Sequence, residues 1–184
     1  MLAQAWCLNV NDQKLHIRCS LSIMDTIHNP GSLPDGVFAC VVRNAPLVAV
    51  DIIIRDPADK ILVGLRANEP AKNTLFIPGG RIRKNETIRA AFSRILKAET
   101  GISASFDDAE LAGTYEHFYN TNRFNDPSYG THYVVLAFQL TLKVRPMIIM
   151  DSQHSAAKWM TTEEIMSASN VHPNSKAYFE AKLC

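Results

Sequence analysis

Between Glu86 and Thr100 the apolar residues Ile88, Ala91, Phe92, Ile95 and Leu96 fall at i, i+3, i+4, i+7 and i+8, the repeat of one face of an α-helix. Gly101 follows where a helix-ending glycine belongs. The same stripe carries a charge: Glu99 comes eleven, seven and four residues after Ile88, Phe92 and Ile95, which puts its carboxylate in line with the apolar side chains. An unpaired carboxylate on a buried seam would cost roughly several kcal/mol or become protonated, so a cation, an arginine or a metal is expected to meet it. In the other reading, the last turn frays and Glu99 reaches solvent. Spacing alone leaves both open.

Around this helix the pattern is that of strands. A short helix is expected over Val37–Asn44, stopped before Pro46. Leu47–Ile54 is rich in Val and Ile and reads as a strand. The turn Asp56-Pro57-Ala58-Asp59 then leads into a hairpin partner, Ile61–Leu65. A short strand over Thr74–Ile77 ends at Pro78-Gly79-Gly80, where the glycine pair is expected to open a loop. Further strands are expected at Leu111–Tyr119, His132–Lys143 and Ala156–Met160. Thr161 and Glu164 form a capping-box pattern before a short helix, and Asn174–Leu183 is read as a closing helix. Pattern alone therefore gives a mixed sheet packed by helices, an α+β or αβα sandwich.

The 184 residues suit one domain. The segment Asn29–Gly36, with two prolines and two glycines, reads as a linker, so the domain is expected over 34–184 after an N-terminal extension, 1–33, of unknown role. That extension could be an added hairpin, a partner-binding arm, or sequence upstream of an alternative start at Met24. The net charge of +1 offers no global field for a nucleic-acid backbone or an anionic membrane, so an anion must be held locally. The longest apolar stretches, Leu47–Ile54 and Tyr133–Leu140, fall well short of the roughly 20 residues a membrane span needs. The first ten residues lack the basic start of a secretion signal. Together these lead to the expectation of a cytoplasmic protein, and Cys7, Cys19, Cys40 and Cys184, with no CxxC pair, are expected to be reduced structural thiols.

The string Gly80-Arg-Ile-Arg-Lys-Asn-Glu86, then seven residues to Arg94, then Glu99-Thr-Gly101-Ile102, resembles the Nudix box. Ile95 and Ala98 stand where that box normally carries glutamates. Outside the box, Pro46-Leu-Val-Ala-Val-Asp51, Phe76-Ile-Pro-Gly-Gly-Arg81, Glu116-His-Phe-Tyr119, Thr131-His-Tyr-Val-Val-Leu136, Gln153-His154 and Asn170-Val-His-Pro-Asn-Ser175 together resemble the GDP-mannose mannosyl hydrolase branch, which has lost the same two glutamates. The resemblance runs from about Pro34 to Phe179.

The resemblance implies a Nudix-type αβα sandwich with a mixed β-sheet between helices, and a homodimer. It also implies attack by water on the anomeric carbon of a small-molecule nucleotide sugar, GDP-mannose or GDP-glucose, releasing GDP and inverted sugar. Magnesium would be held by the Gly79 carbonyl, Glu99 and the Gln153 amide oxygen, all hard oxygen donors. His154 would be the general base, since an imidazole titrates near neutrality. Asp51 would contact the sugar, and Arg66 and Arg81 would steady the leaving diphosphate. His117 and Tyr133 would sit around sugar and diphosphate, and Phe38 near the nucleobase. Arg94 and Glu86 would orient the loop. Each has a plainer reading: Phe38 as core, Asp51 on the solvated face of an edge strand, Arg66 and Arg81 as surface charges, His154 and Gln153 as loop residues. Two rival functions also stand, ordinary pyrophosphohydrolysis at phosphorus and a non-catalytic nucleotide-sugar-binding domain.

Overall fold

The computed structural model describes residues 33–66, 69, 71–148 and 154–180, with backbone alone at 154–156. The expectations for the extension over 1–32 and for Gln153 lie outside the described residues. The elements run α1 (Asp35–Asn44), β1 (Leu47–Arg55), β2 (Ile61–Arg66), β3 (Leu75–Phe76), β4 (Gly79–Arg81), α2 (Ile88–Thr100), a 3-10 turn at Phe106–Asp108, β5 (Ala109–Tyr119), β6 (Thr131–Thr141), β7 (His154–Met160), α3 (Thr162–Ser167) and α4 (Pro173–Lys176).

The strands form one mixed sheet in the order β3-β2-β1-β6-β5, with β4 also on β1 and β7 also on β2. Strand β1 is the axis. It runs parallel to β6 over its whole length, from Leu47 opposite Tyr133 to Arg55 opposite Thr141. Its other edge is shared, with β4 pairing at Ala49–Asp51 and β2 at Arg55. A strand covered on both faces needs apolar residues in unbroken succession, which is what Leu47–Ile54 supplies apart from Asp51.

Period-two alternation along β1 divides the core. Val50, Ile52 and Ile54 pack with Ala91, Phe92, Ile95 and Leu96 of α2. Ile53 faces the other way, among Ile61, Val63, Met160, Ile165 and Val171, beneath α3 and the C-terminal segment. A smaller cluster of Phe38, Val42 and Leu47 seats α1. Helices thus cover both faces of a mixed sheet, the α+β sandwich expected from the pattern. No helix of the described residues is long and apolar enough to cross a membrane.

Helix α2 begins two residues later than its periodicity suggests. Thr87 caps it by accepting from the Ala90 N–H at 3.2 Å, and Glu86 lies outside because its carboxylate is engaged elsewhere. Its end is the expected one: Gly101 has φ 73° and its N–H meets the Lys97 carbonyl. The capping box at Thr161 and Glu164 is also present.

Two expectations are corrected. Gly79 and Gly80 do not open a loop; with Arg81 they form strand β4, antiparallel to β1. A three-residue strand has no periodicity to betray it, and Gly79 is needed for the close approach described below. Among the described residues the closing helix is Pro173–Lys176, because Ser175 turns in to Ile77 and Tyr178 to β1, while residues 181–183 of the expected helix lie outside the described residues.

Phe92 is fully buried, and Phe106 and Phe138 meet it edge-on at 5.4 and 5.9 Å. Phe92→Ala is expected to destabilise the domain by about 3–5 kcal/mol, read as a lower urea midpoint with an unchanged m-value.

Candidate active site

The loop leading into α2 is held by one arginine fork. Arg94 donates from Nε and Nη2 to the two oxygens of Glu86, at 2.6 and 2.8 Å, and from Nη2 to the Arg81 carbonyl at 3.0 Å. Glu86 also accepts the Arg83 N–H at 2.9 Å. The fork ties the middle of α2 to the loop before it and to the end of β4, so Arg94 and Glu86 shape the loop, as their positions in the box imply. The hydrogen bonds from Arg94 hold the Glu86 carboxyl below its ordinary value.

Beside the fork, β4 approaches β1 without side chains in between. A Cβ on Gly79 would overlap Asp51 Oδ1, and one on Gly80 would lie 3.3 Å from Ile95 Cγ1. Asp51 is 5% exposed and sits mid-sheet rather than on an edge strand, which removes the solvated-face reading. Burial raises its pKa to about 7, against the hydrogen bond from Tyr178 and the charge of Arg66, which pull it down. Tyr178 Oη donates to Asp51 Oδ2 at 2.5 Å and lies 3.3 Å from His117 Nε2. Burial, then the neighbouring His172, push His117 down to about 4, so its ring is neutral at pH 7.

These groups line a cleft of about 980 Å³, within the usual size of a small-molecule site. Asp51, Arg66, Gly79, Arg81, Glu99, His117, Tyr133 and Phe38 all line it, though they come from seven elements. Arg66, Lys72, Arg81, Arg83, Arg94 and Arg123 outnumber Asp51, Glu69 and Glu99 there, so a chain of net charge +1 concentrates its cations where an anion would bind. Phe38 is 5% exposed, with the Arg81 guanidinium 4.5 Å and that of Arg123 5.6 Å from its ring centroid. It therefore serves the α1 core and the cleft wall together. The plainer reading of Glu99 as a frayed, solvent-facing residue is removed: it is in helix α2 and 7% exposed.

Glu99 and the Gly79 backbone offer only oxygen donors to the cleft, a set that suits a hard cation such as magnesium. Ile95, at 1% exposure, belongs to the core under α2, and Ala98 faces solvent. Among the described residues no three His, Cys, Asp or Glu side chains gather as a metal cluster. The backbone of His154 pairs opposite Arg66 at the start of β7, two residues earlier than the strand expected from sequence.

The sequence reading missed Tyr178 and Arg123. A carboxylate in the middle of Val-Ala-Val-Asp51-Ile-Ile-Ile does signal that a donor must exist, but not that it comes from 127 residues away. Arg123 sits in the polar stretch between β5 and β6, where nothing in the spacing marks it out.

The cleft beneath a helix that carries the box residues, on a mixed sheet sandwiched by helices, defines a class. A match to the NUDIX domain family model spans residues 45–182, and the chain belongs to the Nudix hydrolase family. The low-salt glycan biosynthesis protein Agl8 of Haloferax volcanii is 39% identical over 126 residues, 68% of this chain and 78% of that protein. An ADP-ribose pyrophosphatase of Methanocaldococcus jannaschii is 44% identical over 57 residues, 31% of this chain and 33% of that one. Among solved structures, the MutT protein of Methanosarcina mazei Go1 shares the fold, with a TM-score of 0.61, 18% identity and coverage of 74% of this chain and 93% of that one.

Because the Glu86 pKa is lowered by folding, the fork stabilises fully above the ordinary value of 4.5 and loses its contribution as pH falls through the lower folded value. Glu86→Gln should therefore cost about 1–2 kcal/mol at pH 7, and the gap to the unsubstituted protein should narrow in urea titrations below pH 4.5.

Proposed function

We propose that the protein hydrolyses a GDP-hexose, GDP-mannose first, by attack of water on the anomeric carbon with inversion, in a magnesium-dependent reaction. The observation that carries this reading is the pairing of a single helix carboxylate, Glu99, with a buried carboxylate, Asp51, in one cation-rich cleft. Ile95 and Ala98 leave the helix without the further carboxylates that would activate water beside a metal for attack on phosphorus. A buried acceptor among apolar strands suits a sugar hydroxyl, and the arginines suit a diphosphate. The name of the Haloferax relative, a glycan biosynthesis protein, agrees with a nucleotide sugar.

In this reading Gly79, Glu99 and Gln153 hold the magnesium, which supplies positive charge for the departing diphosphate. Arg66 and Arg81 bind diphosphate oxygens and stabilise the charge that develops as GDP leaves. Asp51 accepts from hydroxyls of the hexose, with His117 and Tyr133 beside it. His154 takes the proton of the attacking water; supporting this, its backbone pairs with Arg66, which lines the cleft. Phe38 marks the nucleobase end.

The second reading, pyrophosphohydrolysis at phosphorus, is favoured by the name of the Methanocaldococcus relative. Turnover in oxygen-18 water separates the two. Label in the released sugar is expected, and label in a phosphate product would refute attack at carbon. His154→Gln is expected to lower kcat by about 10²–10⁴ with little change in KM, the loss of a general base. Glu99→Gln is expected to raise the magnesium concentration needed for half-maximal rate. Unaltered turnover in the first variant would remove His154 from the mechanism.

A further inference from the structure

We propose that Tyr178 is a positioning residue that sets sugar specificity: it holds one oxygen of Asp51 so that the carboxylate meets the hexose in one fixed orientation. The inference rests on the nucleotide-sugar reading above and goes beyond it, because Tyr178 lies outside the lining of the cleft and acts through Asp51.

An aspartate carboxylate is ordinarily loose about its last torsion, where the energy wells are broad. Here both oxygens are constrained. Oδ2 accepts from Tyr178 Oη at 2.5 Å, and Oδ1 packs against Gly79, where even a methyl group would overlap it. The tyrosine is itself fixed. Its hydroxyl has one proton, which goes to Asp51, so towards His117 Nε2, at 3.3 Å, it can only accept. Its ring meets Tyr115 edge-on at 4.7 Å.

The chain that delivers Tyr178 is anchored too. Asn170 accepts from the Leu75 N–H, His172 donates to the Leu75 carbonyl, and the fully buried Ser175 Oγ accepts from the Ile77 N–H at 3.2 Å. Residues 170–178 therefore form a strap, tied to β3 and Ile77 just before Pro78-Gly79 and ending on Asp51. Mannose and glucose differ only in the configuration of one hydroxyl. A carboxylate free to turn would follow either epimer, whereas a fixed one fits one better than the other.

The test is the ratio of kcat/KM for GDP-mannose to that for GDP-glucose, which a loss of folded fraction cannot change. Tyr178→Phe keeps the ring and removes the hydroxyl, and is expected to move that ratio toward unity by about five- to tenfold. If that variant does not fold, Ser175→Ala loosens the strap and should move the ratio in the same direction. A ratio unchanged in the folded variant overturns the proposal, as does unsubstituted protein that does not discriminate between the two sugars. Unsubstituted protein that releases no sugar from either overturns the nucleotide-sugar reading, and this inference with it.

Discussion

The structure depends on how closely β4 approaches β1. Two strands can pair wherever their backbones meet, but here the pairing must leave room for the Asp51 carboxylate on one side and the Ile95 side chain on the other. Only a residue without a Cβ meets the first condition, which Gly79 supplies, while a Cβ on Gly80 would crowd Ile95 at 3.3 Å. From that approach follow the burial of Asp51, the position of the Gly79 backbone in the cleft, and the packing of α2 over the sheet. The Glu86–Arg94 fork then fixes where β4 ends and α2 begins. A substitution at either glycine would act on fold and site together, so the two cannot be separated at this seam.

Charge is organised by the same framework. The chain is nearly neutral overall, yet its cleft gathers basic residues from the β2–β3 region, β4, the loop to α2, α2 and the β5–β6 connection. Each would repel the next if left alone. Arg94 is paired with Glu86, and Arg81 and Arg123 lie over the face of Phe38, whose electron-rich ring offsets part of their charge. What remains is a cation-rich cleft whose walls are held by local pairings.

Local signals carried much of this, and tertiary ones the rest. The stripe from Ile88 to Glu99 with its closing Gly101 located α2 because helix periodicity and capping are encoded within a few residues. The Val- and Ile-rich run located β1 for the same reason. Strand β4 is silent in the sequence since two glycines and an arginine carry no alternation, and the path of the chain after Lys176 is set by tertiary contacts such as Tyr178 to Asp51. Glu99 and Asp51 were each visible as carboxylates among apolar neighbours. Whether they faced solvent could be settled only by the strands and helices packed around them, and Tyr178 could not be matched to Asp51 without the path of the C-terminal segment.

The residue at position 95 shows why the site and the core have to agree. Ile95 is almost fully buried among Val50, Phe92 and Leu96, and touches the space above Gly80 while lining the cleft. A carboxylate there would be desolvated by the same neighbours, and would need a bound cation to remain charged. With isoleucine, the helix stays packed whether or not a metal is present, and Glu99, one turn later, is left as the only helix carboxylate that faces the cleft among the described residues. Apolar packing along α2 thus takes the place that a second helix carboxylate would occupy. On the proposed reading, the chemistry relies on the leaving group and on hydroxyl recognition by Asp51 more than on a metal-activated nucleophile.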